Sequence, residues 1–206
     1  MAEVAATVTQ GISPSARDVD VDLGGGRRLR GTVTDLYAER LVKVSYSRLG
    51  PKHWIDAWVP LLALCAAYPG RGWSAGSIGR GSFRRATDRV AFASADDCQE
   101  LLADLVRLHD AGMRAPLPLP LKTGEAWARH ARNPRVARGK AEKEWAKDTF
   151  SPENADPWHV RVWGPDLPLG DLLAATPLPG EERDDQRSRL GALACTLWQP
   201  MIDRGR

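Results

Sequence analysis

The sequence predicts an α+β fold that opens with strand-like segments and ends with helices. Two observations support this prediction. Residues 19–47 hold three runs of alternating apolar and polar side chains separated by short turns, a pattern typical of a β-meander. Beyond residue 52, apolar side chains recur mainly at helical spacing, and prolines concentrate between the helical segments. The chain of 206 residues is long enough for one sizeable core, or for a core with a smaller extension.

The meander opens with a hairpin. Gly24, Gly25 and Gly26 separate the first two runs and supply the positive φ angles of a tight turn. Period-two alternation places Leu29 on one face of the second run and Arg28 on the other. The predicted strands span residues 19–23, 27–36, 40–47, 76–83 and 88–93.

Helical periodicity and proline positions predict the remaining elements. Pro60 is expected to kink or break the first helix. The prolines of residues 114–127 favour an extended strap. The predicted helices span residues 53–68, a segment capped by Ser94 or Asp96, a segment opening at Thr123 or Gly124, residues 136–150, and residues 186–203. We therefore expect a flexible leader (1–17), a core (18–113), and a strap with a helical C-terminal extension (114–206) packed on that core as one domain.

Composition and charge limit the function classes. The net charge of +3 permits an acidic partner such as DNA without requiring one. Eight tryptophans favour a Trp-rich core over a Trp-rich contact surface. Three widely separated cysteines and four scattered histidines predict no disulfide framework, zinc site or catalytic nucleophile, and the histidines are expected at the surface or at helix caps. With no signal-peptide pattern and no apolar stretch long enough for a bilayer, we expect a cytoplasmic protein without a cofactor or membrane partner.

The later part of the chain resembles a known family. In order, it carries a proline-bearing strap leading to a Gly-x-Ala-Trp helix (Gly124 to Trp127), a Lys-Ala-rich helix (Lys140 to Trp145), an acidic-Trp segment with a second Trp (Asp156 to Trp163), and a Leu-x-x-Pro helix (Leu197 to Met201). This series resembles the C-terminal domain of the RecC family, the gamma subunit of exodeoxyribonuclease V. The resemblance covers roughly residues 23–204.

A second stretch, residues 29–50, is similar to the metal-binding strands of RecB-type nucleases in the PD-(D/E)XK superfamily. In active members, two carboxylates on neighbouring strands hold a divalent cation, and a lysine two residues on stabilises charge on the attacked phosphate. The aligned positions here are Thr34, Ser45 and Ser47, none of which supplies a carboxylate or a lysine. The resemblance therefore implies a degenerate nuclease-like mixed sheet flanked by helices, without catalytic residues.

The resemblance implies a non-catalytic role in a RecBCD-type helicase–nuclease of double-strand-break repair: guiding DNA and holding RecB-like and RecD-like subunits. Trp158 and Trp163 are candidate partner contacts, although both could pack on the chain's own sheet. The basic residues that could contact DNA phosphates, or could simply be solvated surface, are Arg27, Arg28, Arg30, Arg80, Arg84 and Arg85.

Two alternatives stay open at this stage. The first is an active, divergent nuclease with Asp35 and the Asp18–Asp22 edge as metal ligands. Against it, Asp35 would point to the opposite face from Thr34 in a regular strand. The second is an interaction module that binds protein and never touches DNA.

Overall fold

The computed structural model describes residues 11–81, 86–146 and 151–205. The chain forms two compact units. Unit 1 consists of the chain up to Ala103 together with the residues from Arg204 onward, and unit 2 is Asp104–Asp203. The division thus falls inside a helix, ten residues before the boundary expected from the sequence. Packing of the C-terminal extension on the core stays a prediction.

Unit 1 is built on a five-stranded mixed sheet in the order β1-β2-β3-β4-β5. The only parallel pair in this sheet is β3 with β4, and it is joined by helix α1, because a parallel crossover needs a long connection. The predicted mixed α+β class is confirmed. The elements are β1 Ser15–Gly24, β2 Arg27–Tyr37, β3 Arg40–Arg48, α1 Pro51–Ala67, β4 Ser74–Arg80 and β5 Thr87–Ala93.

The β1–β2 hairpin forms where the glycines predict it. Gly24 pairs with Arg27, so Gly25 and Gly26 are the two turn residues, with φ angles of 59° and 77°. The Asp22 carboxylate accepts a hydrogen bond from the Gly24 N–H at 2.8 Å and stabilises the turn. β1 begins at Ser15, four residues before the predicted start, so the end of the predicted leader is part of the strand.

A bulge at Asp35 interrupts β2. The β1–β2 register shifts between the Ser15–Leu36 and Arg17–Val33 pairs, and Asp35 has a φ of 60°. Asp tolerates this left-handed conformation better than most residues do. The described ladder between β2 and β3 then contains two residue pairs, Leu36–Leu41 and Tyr37–Arg40. The expectation of a regular strand through Asp35 is wrong, because the extra residue rotates the side chains that follow.

Helix α1 covers one face of the sheet. It begins with a capping box in which the His53 side chain accepts from the Gly50 N–H, with Pro51 in the first turn. The helix runs unbroken through Pro60, so the predicted break is wrong. Burial of Trp58 and of its neighbours on the same helix face offsets the lost backbone hydrogen bond. The Trp58 ring makes an edge contact with Phe92 of β5, with 5.3 Å between centroids.

Unit 2 is helical. The predicted strap is shorter than expected, since regular helix resumes at Leu121 with Pro120 as its N-cap. Residues 157–163 and 169–174 form two short helices for which the sequence analysis made no helix prediction. Helices α2 and α7 each contribute residues to both units. The helices are α2 Cys98–Arg114, α3 Leu121–Arg129, α4 Pro134–Trp145, α5 Pro157–Trp163, α6 Leu169–Ala174 and α7 Arg189–Arg204, with a 3-10 turn at Glu153–Ala155.

Glu153 organises the start of α3 from far along the chain. Its two carboxylate oxygens accept the backbone N–H groups of Lys122 and Thr123, both at 2.8 Å. These donors lie in the first turn of a helix, where they have no partner within the helix. Glu153 is itself 8% exposed. A remote carboxylate thus replaces the side-chain cap that Pro120 cannot provide.

The prediction of a Trp-rich core is confirmed. Trp145 is buried beside Trp163, with ring centroids 6.2 Å apart, and its Nε1–H donates to the Leu167 carbonyl at 2.7 Å. The tryptophans that are fully or almost fully buried are Trp58, Trp73, Trp127, Trp145 and Trp198. None of the helices in the described residues has the length and apolar character needed to cross a membrane.

Candidate functional site

Ser45, one of the three positions that the sequence analysis compares with a nuclease centre, lines a pocket in unit 1 between β3 and the first half of α1. The pocket has a volume of about 510 Å³ and an open mouth. Its polar lining combines two lysines, one carboxylate, two hydroxyls and an imidazole. These residues are Lys43, Lys52, Asp56, Ser45, Ser77 and His53.

Two of the three aligned residues are joined in one hydrogen-bonded chain that ends on His53. Ser45 Oγ lies 2.7 Å from Ser47 Oγ, which lies 3.0 Å from His53 Nε2. On the other side of the ring, the Gly50 N–H donates to Nδ1 at 3.0 Å. Nδ1 therefore carries no proton, and Nε2–H is the group that donates to Ser47.

This tautomer decides what the serine–histidine contact can do. A nucleophilic serine needs a histidine nitrogen that accepts its proton. Here the nitrogen facing Ser47 already holds a proton, and the opposite nitrogen is occupied by the backbone at the start of α1. The arrangement orders the end of β3 against α1, and it does not activate Ser47. His53 is thus the cap residue that the sequence analysis expected, but its contact with Ser47 was missed.

The third aligned residue, Thr34, lies at the bulge. Its hydroxyl donates to the Asp35 carboxylate at 3.2 Å, and the same carboxylate accepts from Lys43 Nζ at 2.7 Å. The Lys43 hydrogen bond lowers the pKa of Asp35, although partial burial opposes the shift. The bulge therefore brings together a carboxylate and a lysine that a regular strand was expected to separate.

A metal centre would need more than this pair. A hard divalent cation takes several oxygen ligands, commonly two carboxylates in nucleases of this chemistry. The position two residues before Lys43, which would supply the second carboxylate, is Leu41, and its side chain is 1% exposed. Within residues 11–81, 86–146 and 151–205, no three His, Cys, Asp or Glu side chains cluster as metal ligands would.

The acidic edge of β1 has a different role from metal binding. On the exposed face of the hairpin, Arg28 Nε donates to Asp20 at 2.7 Å, and Arg30 Nε lies 3.3 Å from the same carboxylate. Asp18 accepts from the Thr32 hydroxyl at 2.7 Å. The hydrogen bond from Arg28 lowers the pKa of Asp20. Cross-strand pairing thus engages Asp18 and Asp20, which the sequence analysis considered as metal ligands. It also engages Arg28 and Arg30, two of the predicted DNA-contacting arginines.

Of the remaining predicted arginines, Arg80 lies outside the hairpin, in β4. Arg80 ends β4 and is the register partner of Arg48 at the end of β3. Both side chains are exposed, as is Lys52 on the rim of the pocket, and none of the three has an acidic partner within the described parts of the chain. Arg84 and Arg85 lie outside the described residues, and Arg27 is exposed on the hairpin. Arg48 was missed because its place beside Arg80 depends on the parallel β3–β4 pairing.

In unit 2, the two candidate partner-contacting tryptophans behave differently. Trp158 is 73% exposed, whereas Trp163 is partly buried against Trp145 and His159. Val162, one helical turn after Trp158, is also exposed, at 46%. The alternative in which both tryptophans pack on the chain's own sheet is wrong for Trp158, and Trp163 packs on helices.

Comparison with known proteins identifies the family. The family model described as the RecC C-terminal domain matches residues 1–132, which include all five strands and the pocket. The chain belongs to the RecC C-terminal domain family. It is 48% identical over 188 residues to the RecBCD enzyme subunit RecC of Mycobacterium tuberculosis, covering 91% of this chain. It is 49% identical over 189 residues to the same subunit of Mycolicibacterium smegmatis.

These alignments also define how much of a RecC protein the chain represents. It spans 17% of the length of each of these relatives. The site features described above lie in unit 1 and within the residues that match the RecC C-terminal domain family. They are the Ser45–Ser47–His53 chain, the Asp35–Lys43 pair, and the exposed Arg48 and Arg80.

Proposed function

We propose that this chain is a non-catalytic domain of a RecBCD-type helicase–nuclease, in which it guides DNA and docks partner subunits during double-strand-break repair. The observation that carries the proposal is the chemistry at the three aligned positions. Ser45 is hydrogen bonded to Ser47, Ser47 accepts from the proton-donating His53, and the Thr34 hydroxyl donates to Asp35. This surface is a degenerate nuclease centre of the PD-(D/E)XK type, which keeps a pocket but lacks paired carboxylates.

The DNA-guiding part rests on exposed cations without acidic partners. Arg48, Arg80 and Lys52 form no ion pair within the described residues, although Asp56 lines the same pocket as Lys52, whereas Arg28 and Arg30 on the hairpin are paired with Asp20. Two adjacent like charges at the end of a parallel strand pair repel one another unless an anion lies between them. A phosphate backbone supplies such an anion without imposing a base sequence. Arg84 and Arg85, in the connection that follows β4, extend the same basic segment of the sequence.

A salt-dependent binding measurement tests this assignment. We expect the chain to bind single- and double-stranded DNA, and the affinity to fall as salt rises. Each lost phosphate contact should reduce the slope of log affinity against log salt by about 0.7 to 0.9. The double variant Arg48→Gln/Arg80→Gln, or Arg84→Gln/Arg85→Gln, should therefore reduce the slope by roughly 1 to 2.

The chain offers a matched control for this experiment. Arg28→Gln/Arg30→Gln removes the same charge from side chains that Asp20 already engages. Its effect on DNA affinity should be small. If Arg28→Gln/Arg30→Gln reduced DNA affinity as much as Arg48→Gln/Arg80→Gln does, the assignment of DNA contacts to the β3–β4 end would be refuted. No DNA binding by the unmodified chain would favour an interaction module that binds protein alone.

Subunit docking is proposed for the surface around α5. Exposed aromatic side chains beside aliphatic ones are typical anchors of protein interfaces. Trp158 and Val162 form such a pair, and the partly exposed Trp163 lies on the same helix. The proposed partners are RecB-like and RecD-like chains, since the relatives are named RecBCD enzyme subunit RecC.

Co-purification with RecB-like and RecD-like chains tests the docking surface. Trp158→Ala should weaken the complex by a factor of ten or more, since interface tryptophans commonly contribute about 2 kcal/mol or more. Met113→Ala is the control, because Met113 is similarly exposed, at 75%, but is not part of the α5 surface. Unchanged co-purification of the Trp158→Ala variant would place the interface elsewhere.

A divergent nuclease remains the second candidate because of one specific contact. Asp35 and Lys43 lie 2.7 Å apart, as a carboxylate and a lysine of a nuclease centre could. Incubation of the purified chain with Mg²⁺ or Mn²⁺ and linear DNA separates the two functions. We expect no cleavage. Metal-dependent cleavage that disappears in Asp35→Ala and persists in Asp20→Ala would establish the nuclease instead.

A further inference from the structure

Two of the three cysteines, distant in the sequence, meet in unit 1. Cys65 lies near the end of α1 and Cys98 is the first residue of α2. Both line an open pocket of about 470 Å³, bordered by the loop after α1 and by the segment before α2. The Cys98 thiol donates a hydrogen bond to the Ala95 carbonyl at 2.6 Å, and the two thiols lie close enough for each to shift the pKa of the other. The chain separation of these residues had argued against any pairing.

We propose that Cys65 and Cys98 form a dithiol site that a small peroxide oxidises to a disulfide. Neither the family match nor the proposed function assigns a role to this site, and the inference is independent of both. Three features of the geometry support it. Both cysteines line one pocket, that pocket admits a small oxidant, and the first residue of a helix is a position that stabilises a thiolate.

The two thiols are unequal, as an oxidisable pair requires. Donation of a hydrogen bond by Cys65 lowers the pKa of Cys98, while burial opposes the shift. The same hydrogen bond, together with burial, raises the pKa of Cys65. Asp97 and Arg204, the charged groups that act on Cys98, form an ion pair at 2.9 Å and offset each other in sign. Cys98 is therefore the thiolate that reacts first, and Cys65 is the resolving thiol.

The reaction balances with hydrogen peroxide as the oxidant. The Cys98 thiolate attacks one peroxide oxygen, the O–O bond breaks, and the products are a Cys98 sulfenic acid and hydroxide. The Cys65 sulfur then attacks the Cys98 sulfur, and the sulfenic hydroxyl leaves with the Cys65 proton as water. Together, two thiols lose two electrons and two protons to one peroxide, which yields two waters.

Cys195 provides an internal comparison. It is buried in unit 2, and burial raises the pKa of its thiol to about 11. No second cysteine of the described chain lies beside it. We expect Cys195 to remain reduced under conditions that oxidise the other pair, because the thiolate is the form that reacts.

Mass spectrometry of the complete chain tests the site. The reduced chain is treated with hydrogen peroxide, quenched, and alkylated with N-ethylmaleimide. We expect a product lighter by two hydrogen atoms that takes up one maleimide after denaturation, where the reduced chain takes up three. Peptide mapping should place the new bond between Cys65 and Cys98, and dithiothreitol should reverse it.

Two cysteine variants, Cys195→Ser and Cys65→Ser, test which thiols take part in the reaction. Cys195→Ser should form the disulfide at the rate of the unmodified chain, whereas Cys65→Ser should instead accumulate a Cys98 sulfenic acid that dimedone traps. Three free thiols after peroxide treatment, or a sulfinic acid at Cys98 in the unmodified chain, would overturn the proposal. Because the unmodified chain carries the main measurement, misfolding of a variant would not obscure the result.

Discussion

Removal of the Glu153 carboxylate is the most direct test of how unit 2 is stabilised. In the unmodified chain, the two Glu153 carboxylate oxygens accept the N–H groups of Lys122 and Thr123, both at 2.8 Å. Glu153→Ala removes both acceptors in a region where Thr123 is 0% exposed. Each hydrogen bond to a charged acceptor contributes about 1.5 kcal/mol or more, and the helix dipole adds about 0.5 kcal/mol. We expect a loss of about 3 kcal/mol in the free energy of unfolding.

Urea unfolding followed by circular dichroism measures this loss. Glu153→Gln keeps one acceptor oxygen without the charge, so its loss should be about half as large. Glu100→Ala is the control, since Glu100 is an exposed carboxylate in the first turn of α2 and should contribute only about 0.5 kcal/mol through the helix dipole. If Glu153→Ala destabilised the chain no more than Glu100→Ala does, the cap would not contribute as the geometry indicates.

Three further predictions concern other contacts. Arg189 donates two hydrogen bonds to Glu181, both at 2.7 Å, and lowers the pKa of that carboxyl. Glu181→Gln should therefore lower the free energy of unfolding by roughly 2 kcal/mol at neutral pH, and this difference should shrink as the pH falls through the depressed pKa. A difference that stays constant in urea unfolding at several pH values would contradict this. Gly26→Ala, at a φ of 77°, should lower the thermal midpoint by the equivalent of about 1 kcal/mol, whereas Gly31→Ala should not. Nitrogen-15 NMR should show His53 protonated at Nε2, and a proton at Nδ1 would refute the inactive serine–histidine contact.

Local patterns predicted most of the fold. The strand faces of the hairpin follow from alternation, since Val19 and Val21 are buried while Arg28 and Arg30 are exposed, and three consecutive glycines mark the turn. The strand faces and the turn depend on residues close together in the sequence, where periodicity and turn preferences carry the information. The mixed sheet was instead expected from the family resemblance, because its parallel β3–β4 pair joins segments that α1 separates.

The features that sequence reasoning missed depend on contacts between distant residues. The start of α3 was placed too late because its cap, Glu153, lies 30 residues downstream of Thr123. No local signal marks Asp35 as a bulge, and this residue determines which side chains share the pocket. The Ser47–His53 contact was missed because Gly50 and His53 do not match the Ser/Thr-x-x-Glu/Gln signature of a capping box, although the His53 side chain accepts from the Gly50 N–H.

The short ladder between β2 and β3 has a consequence for how unit 1 opens. Only two residue pairs join the β1–β2 hairpin to the rest of the sheet in the described ladder, whereas the hairpin is held together by a long register and a row of charged pairs. Its backbone amides should therefore exchange with solvent as one cooperative group, separate from β3, β4 and β5. A force applied at the glycine turn would then rotate the hairpin about Leu36 and Tyr37. The pocket beside β3 would keep its shape.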